Sequence, residues 1–474
     1  MAAMVASSLA PRAAVAAPPV GVAGEATPFA VTPPRKRLRA LAKRAEGRSD
    51  LSELRQQLDA MQKQWNSVAA DTAAAKLAGL AADLEAVLKQ GLELQRQECP
   101  IHEQHHQGAS AVVRLARERL ILLLLQGGEQ ERARELLIEG GYRYRLSDAV
   151  LCSLPTCAEL KASSAESSAA PIRYDTIGFV DGALPDSLLR DLQDFFSSDS
   201  AFWREHSYWE DDSFFSYELP LQAELFDEGR RHPAVEAALL IAEIAAAVAP
   251  DAVGQGCRPG YAEWWCHSKP HCAGHLLHFD QSDDAQVPLI STVLYLSSSD
   301  VGGPTVVTEQ GMFDESLAEH GWLCTPKENR LLLFDGSLLH GVAPGAGAPR
   351  IPPDESGISR RCTLMVALCC SRPQKGPRHG TQMPEPADSA LQWPRALTSA
   401  AGMGEAARKQ AAATAKLRSP PRVAVWADVD TMSNKEMGCP IAAGPALPAP
   451  TKCFQGITPW RDLPDRLFMG DAFE

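Results

Sequence analysis

Short apolar runs alternate with clusters of Gly, Pro, Ser and Asp between residues 260 and 370, and this rhythm constrains the fold more than any other feature of the chain. The runs are Gly260–Cys266, His275–Phe279, Leu289–Leu296, Thr305–Thr308, Gly321–Cys324, Arg330–Phe334 and Arg361–Cys370. Many short strands with turn signals between them are typical of an all-β barrel or a double-sheet roll.

Helices are predicted on the N-terminal side of these strands. Apolar residues recur at alternating spacings of three and four, first from Leu51 to Val68 and then from Leu77 to Val87. Two such stripes with a break between them fit an intramolecular helical hairpin or a coiled-coil-like pair. Apolar patterns at 188–196 and 235–248 predict two more helices beside the strands.

These changes of pattern divide the chain into four parts. Residues 1–47 are predicted to be disordered, and the basic cluster at 35–44 is open to three interpretations: an organelle transit peptide, a nuclear localisation signal or a solvated tail. Residues 48–165 form a helical, coiled-coil-like domain, and residues 172–373 form the β barrel. Residues 374–474 are rich in Pro, Ala and Gly, which predicts partial disorder with apolar pieces that pack on the barrel.

The composition excludes several classes of function. The chain of 474 residues has a formal charge of −13, which argues against electrostatic binding of nucleic acid through the whole surface. No apolar run is long enough to span a bilayer, so no membrane partner is expected. Twelve cysteines without a repeating spacing predict reduced thiols and hence an intracellular protein.

A dense cluster of Cys and His residues lies between Cys266 and Asp280 and raises the question of a metal site. Its spacings match no zinc finger or ribbon, and side chains that alternate between the faces of a strand cannot all reach one ion. Residues two apart do share a face, so His278 and Asp280 project together, whereas His275 is expected on the other face. A second histidine from a distant strand would complete a 2-His-1-carboxylate facial triad, and His340, at the end of a buried run, is the candidate.

Five motifs in a fixed order extend this hypothesis. They are His278-Phe279-Asp280, Ser291–Ser297, Gly302-Gly303-Pro304-Thr305, Phe334-Asp335-Gly336 leading to His340, and Arg361–Leu364. The stretch from about Tyr174 to Cys370, roughly two-fifths of the chain, resembles the iron(II)- and 2-oxoglutarate-dependent dioxygenases, and within them the prolyl-4-hydroxylase-like branch. The resemblance implies an α+β fold: a double-stranded β-helix, or jelly-roll barrel, with flanking helices, here preceded by the all-α region.

The resemblance also implies a ligand set. Fe(II) would be held by His278, Asp280 and His340, which are then both the metal ligands and the catalytic residues, with 2-oxoglutarate as cosubstrate and ascorbate as a further candidate cofactor. Arg361 would pair with the far carboxylate of 2-oxoglutarate, because a bidentate guanidinium suits a carboxylate away from water. Tyr295 or Thr292 would add a hydrogen bond to the same carboxylate.

One departure from the family pattern concerns the arginine. The family places its basic residue about ten positions after the distal histidine, where this chain has Arg350. Arg350 lies among prolines, which cannot form a central strand. We therefore interpret residues 344–359 as a loop insertion, Arg350 as a surface residue and Arg361 as the cosubstrate ligand.

The predicted function is that of a dioxygenase that uses dioxygen to hydroxylate a protein side chain or a small molecule, with release of succinate and CO2. The alternative is a catalytically silent barrel that binds a helical protein partner through its N-terminal helices. All predicted site residues lie between positions 170 and 375, so this part of the chain is expected to turn over 2-oxoglutarate without the helical region.

Overall fold

The structure is a computed structural model of the chain. It describes residues 51–61, 73–97, 103–142, 144–151, 177–200, 202–203, 216–221, 232–250, 259–271, 273–280, 287–297, 301–311, 314, 318–345, 359–370, 387–388, 403–429 and 467–468. The chain divides into two compact units, Met1–Ser49 and Asp50–Glu474, and every described residue belongs to the second. The predictions for residues 1–47 and for Arg350 lie outside the described residues.

The N-terminal part of this unit is helical. Its elements are α1 (51–61), α2 (Ala73–Gln97), α3 (Glu103–Gly127), α4 (Gln130–Gly140), strand β1 (Tyr144–Leu146) and α5 (Asp148–Leu151). The predicted stripes are buried at Leu54 and Leu58 in α1 and at Leu80 and Leu84 in α2. Helix α2 packs against α3, and α3 packs against α4. The helices therefore cover one another within the chain, as in a hairpin.

Two sheets follow, and their order along the chain positions the candidate site. The elements are β2 (Ile177–Asp181), α6 (Asp186–Phe195), β3 (Tyr217–Pro220), α7 (Pro233–Val248), β4 (Tyr261–Pro270), β5 (His275–His278), β6 (Ile290–Tyr295), β7 (Thr305–Gly311), β8 (His320–Cys324), β9 (Arg330–Asp335), β10 (Leu338–Val342), β11 (Arg360–Cys369), β12 (Ala387–Asp388), α8 (Glu405–Ala413), β13 (Arg422–Ala424), β14 (Trp426–Asp428) and β15 (Leu467–Phe468). All seven predicted runs coincide with strands. The predicted helices at 188–196 and 235–248 correspond to α6 and α7.

The larger sheet has seven strands in the order β12-β3-β4-β11-β6-β9-β2, and the smaller has five in the order β13-β8-β7-β10-β5. Within both, every pairing except that of β12 with β3 is antiparallel. The chain thus forms the two-sheet, mixed α and β architecture that the strand rhythm predicts.

Three apolar clusters explain how the layers stack. One joins α6, α7 and α8 to the outer face of the seven-stranded sheet. A second joins helices α1–α5 to the outer face of the five-stranded sheet through Leu277, Val306 and Leu339. A third lies between the sheets and includes Tyr295 from the larger sheet and Leu338 from the smaller. The helical part therefore shares a continuous core with the smaller sheet, and the predicted division near residues 165–172 stays a prediction.

Residues 403–429 are ordered and tie the layers together. Helix α8 packs on α7, β13 pairs with β8, and β14 pairs with β1 of the helical part. Arg408 forms an ion pair of 3.1 Å with Glu236 of α7, whose side chain is 1% exposed. The backbone amide of Met403 also donates to Glu236, at 3.0 Å. The expectation that residues 170–375 suffice stays a prediction, and such a fragment would lack Arg408 and Met403, which both bond to Glu236.

The cysteines and the helices bear on two further predictions. Cys266, Cys324, Cys362 and Cys369 are free thiols, as predicted. Cys370 is disulfide-bonded, so the prediction of reduced thiols throughout is wrong for this residue. Among the described helices, none combines the length and the apolar character that crossing a membrane requires.

The buried ion pair gives a test of the role of residues 403–429. Arg408→Ala should lower the free energy of unfolding by about 3–5 kcal/mol, because it removes the cation that pairs with a buried carboxylate. The double variant Glu236→Leu/Arg408→Leu should recover most of this loss. Urea unfolding followed by circular dichroism measures both.

Lys409→Ala is the matched control, since Lys409 is the next residue and its pair with Glu405 is exposed. It should leave the unfolding curve unchanged, because exposed pairs contribute little. An Arg408→Ala variant as stable as the original chain would show that the ion pair between Arg408 and Glu236 does not stabilise the packing of residues 403–429.

Candidate metal centre

Three potential metal ligands converge at the end of the five-stranded sheet. His278 is the last residue of β5, Asp280 follows two residues later, and His340 lies on β10, where it is the Cα partner of His278. One ligand atom from each lies within 4.8 Å of the others. The Oδ1 atom of Asp280 is 3.6 Å from Nε2 of His278 and 3.4 Å from Nε2 of His340. The antiparallel pairing of β5 with β10 thus brings together His278 and His340, which are 62 positions apart in the sequence.

Neighbouring groups orient two of these ligands. The Nδ1–H group of His340 donates a hydrogen bond of 3.0 Å to the carbonyl oxygen of Leu338, which leaves Nε2 available to a metal. The Oδ2 atom of Asp280 accepts a hydrogen bond of 2.6 Å from Ser291 on β6, so Oδ1 is the atom that faces the histidines. Sequence reasoning missed Ser291, although the period-two alternation places it on the same face of β6 as Tyr295.

The electrostatics of the three ligands are coupled. Burial by itself would raise the pKa of Asp280, but the charge of His340 and hydrogen bonds with both histidines hold the pKa of this carboxyl well below its usual value. Burial alone would lower the pKa of His340. The interactions of its ring with Asp280 and with the Leu338 carbonyl outweigh burial, so the pKa of His340 is raised. A carboxylate that stays ionised beside two imidazoles is a donor set suited to a divalent cation. Two nitrogen donors and one oxygen donor fit iron(II) with coordination positions left open.

Arg361 supplies a buried positive charge between the same two sheets. It is 4% exposed, and its terminal nitrogen donates to the hydroxyl of Thr305 at 3.0 Å. Its guanidinium lies 5.2 Å from the centre of the Tyr295 ring. Burial lowers the pKa of Arg361, and its Nε atom is buried without a hydrogen-bond partner. Within the described part of the chain no carboxylate pairs with this guanidinium, which can therefore pair with an anionic ligand.

The two predicted hydrogen-bonding partners of that anion have different positions. Tyr295 faces the space between the sheets, and its hydroxyl is 2.7 Å from that of Thr305 and donates to the Cys324 carbonyl at 3.1 Å. Thr292 is three residues earlier and lies on the opposite face of β6, where it donates to the Val366 carbonyl at 2.8 Å. The structure therefore brings Tyr295 to Arg361 and excludes Thr292 from the site, because an odd spacing along a strand reverses the face.

His275 also differs from its prediction. Its ring lies 4.7 Å from that of His278, on the side of the candidate metal ligands. The pairing of β5 with β10 shifts between His340 and Val342, since His278 opposes His340 while His275 opposes Val342. Such a bulge adds one residue to β5 and cancels the expected change of face.

Comparison with known proteins gives limited similarity. No protein family model matches the chain, and no curated protein matches it. Among solved structures, a prolyl-4-hydroxylase of Pseudomonas putida is 17% identical, covers 43% of this chain and all of its own length, and has a TM-score of 0.27. AviO1 of Streptomyces viridochromogenes is 17% identical over 44% of this chain and all of its own, with a TM-score of 0.28.

HygX of Streptomyces hygroscopicus, solved with nickel and 2-oxoglutarate bound, is 12% identical over 42% of this chain and 85% of its own, with a TM-score of 0.24. Identities and scores this low carry no functional argument. The function is therefore inferred from the chain's own side chains.

The geometry of the ligand set leads to a test by metal binding. His278→Ala or Asp280→Ala should leave the melting temperature nearly unchanged and abolish stoichiometric Fe(II) binding, because two ligands hold the ion too weakly. Anaerobic equilibrium dialysis measures the stoichiometry. Stoichiometric zinc held through Cys266, with Fe(II) excluded, would contradict the assignment.

Ser291 gives a second metal-binding test. Ser291→Ala should weaken Fe(II) binding about tenfold, because the hydroxyl that orients Asp280 is lost. Thr308→Val is the control, since Thr308 is also a buried hydroxyl but donates to the Leu339 carbonyl on the outer side of the smaller sheet. Equal Fe(II) affinities of Ser291→Ala and Thr308→Val would show that Ser291 does not orient the ligand.

Proposed function

We propose that this protein is an Fe(II)- and 2-oxoglutarate-dependent dioxygenase of the prolyl-4-hydroxylase-like branch. The observation that carries the proposal is an open His–Asp–His set close to a buried guanidinium that has no carboxylate partner among the described residues. Thr305, which accepts from Arg361, lies two residues before Val307, the Cα partner of His340. The cation and the candidate metal ligands therefore share one interior.

The residues of the site form two groups, one that would bind the metal and one that would bind 2-oxoglutarate. His278, Asp280 and His340 would hold iron(II), and Arg361 would pair with the far carboxylate of 2-oxoglutarate while Tyr295 and Thr305 orient the guanidinium. Bound iron(II) together with 2-oxoglutarate supplies oxidative decarboxylation to succinate and CO2 and the hydroxylation of a C–H bond with dioxygen. Ascorbate is the candidate that keeps such a metal reduced.

The chain contributes orientation and the exclusion of water. The apolar cluster between the sheets, which includes Val293, Leu338 and Met365, surrounds the polar groups and keeps the local dielectric low. The ion pair between a carboxylate and Arg361 is then stronger than it would be in water. The C–H substrate is proposed to be a protein side chain or a small molecule, as the acidic overall charge argues against nucleic acid.

The alternative of a silent barrel that docks a partner through its N-terminal helices has less support. The apolar faces of α1–α5 are packed on one another and on the five-stranded sheet. A scaffold also has no physical need for three converging ligands beside an unpaired buried cation.

Removal of the guanidinium separates enzyme from scaffold. Arg361→Ala should weaken 2-oxoglutarate binding by a factor of hundreds to thousands, since loss of one partner of a buried charge pair costs about 3–5 kcal/mol. Fe(II) binding should be retained. Binding is measured anaerobically by the charge-transfer absorbance of the Fe(II)–2-oxoglutarate complex, and turnover by succinate release.

Arg360→Ala is the matched control. Arg360 directly precedes Arg361, but its side chain is only partly buried and donates to the Ser268 carbonyl at 3.1 Å. It should change neither measurement. If the original chain gives neither the absorbance nor succinate, the scaffold alternative is favoured.

A further inference from the structure

His271 connects three loops around the candidate site. It follows the last residue of β4 and is 6% exposed. Its Nδ1 atom accepts a hydrogen bond of 2.9 Å from the amide of Gly302. Its own amide donates to the carbonyl of Ser359 at 2.8 Å, and its carbonyl accepts from the amide of Gly345 at 3.1 Å.

Each of these loops adjoins a strand that carries a residue of the site. The Gly302 turn leads into β7, which begins at Thr305. Gly345 lies three residues after the end of β10, the strand of His340, and Ser359 lies two residues before Arg361. One buried residue thus contacts all three segments: the side chain of His271 holds the Gly302 turn, and its backbone bonds to Ser359 and Gly345.

The Gly302 turn is in direct contact with the cation. Gly302 has a φ of +86°, and a Cβ atom at this position would overlap the side chain of Arg361. The aliphatic stem of Arg361 therefore lies on the backbone of the turn, while the Tyr295 ring lies near the guanidinium. The position of the Gly302 turn therefore determines the position of the aliphatic part of the Arg361 side chain, because a displacement of one close-packed group displaces its neighbour.

We propose that His271 is a positioning residue for the cosubstrate: its Nδ1 acceptor holds the Gly302 turn against the stem of Arg361 and so determines the length of the 2-oxo dicarboxylate that fits between the guanidinium and the metal ligands. The inference rests on the proposed function and deepens it. Because Nδ1 accepts, the ring is the neutral tautomer with its proton on Nε2. The selected cosubstrate is the five-carbon 2-oxoglutarate in preference to the six-carbon 2-oxoadipate.

Two substitutions of similar polarity test the acceptor itself. His271→Asn places an amide oxygen near the position of Nδ1, whereas His271→Gln carries its amide one bond further, near the position of Nε2. In the full-length chain loaded anaerobically with Fe(II), His271→Gln should weaken 2-oxoglutarate binding about tenfold, since it leaves a buried amide without its acceptor. It should also reduce the preference for 2-oxoglutarate over 2-oxoadipate, while His271→Asn keeps both close to the original values.

Titration calorimetry with each dicarboxylate measures the two affinities. Gly302→Ala, which presses on the same stem from the turn, should reproduce the loss of preference. His232→Gln is the matched control, because His232 is a buried histidine whose Nδ1 also accepts from a backbone amide, that of Ala234 at 3.1 Å, but it lies at the start of α7. It should lower the melting temperature and leave the ratio of the two affinities unchanged.

The outcomes separate this inference from the proposed function. Absence of 2-oxoglutarate binding by the original chain overturns both. Binding by the original chain with an unchanged ratio in His271→Gln and Gly302→Ala overturns the role of His271 alone. Equal losses in His271→Asn and His271→Gln also overturn it, since the acceptor would then not be what matters.

Discussion

The desolvated guanidinium of Arg361 is the constraint on which the rest of the site depends. A buried cation without a carboxylate partner is costly unless donors, acceptors and a matching anion surround it. In this chain one hydroxyl accepts from it, an aromatic ring lies beside it and a glycine turn supports its stem. An anionic ligand that paired with Arg361 would offset the desolvation cost of the guanidinium. A metal ion held by His278, Asp280 and His340 would attract such an anion to the space between the sheets.

The alternation of side chains along strands predicted one part of the centre of this site, the placing of His278 and Asp280 on one face. His340 came from the facial-triad pattern and from the resemblance carried by the five motifs, and the structure brings all three residues together. Counted from Tyr295, the same alternation places Ser291 on the inner face of β6 and Thr292 on the outer face. The structure has both residues on these faces.

Two features of the structure could not be predicted from local sequence patterns: the bulge in β5 and the order of residues 403–429. The bulge in β5 reverses the face of His275, and nothing in the composition of the run from His275 to His278 marks it. The order of residues 403–429 was also hard to predict, because the segment is rich in Ala and in charged residues and has few large apolar side chains of its own. Its stability comes from Glu236 and from strand edges far away in sequence, which no local pattern encodes.

The balance of charge inside the site argues that its two proposed ligands bind together. With both histidines neutral, as metal ligation requires, the formal charges of the buried Asp280 and Arg361 cancel. Iron(II) alone would leave an excess of positive charge in a medium of low dielectric, and a dianionic 2-oxo dicarboxylate alone would leave an excess of negative charge, each of which is costly. Binding of both restores the balance. The desolvation that makes Arg361 specific for an anion therefore also couples the two halves of the site, so that each ligand raises the affinity for the other.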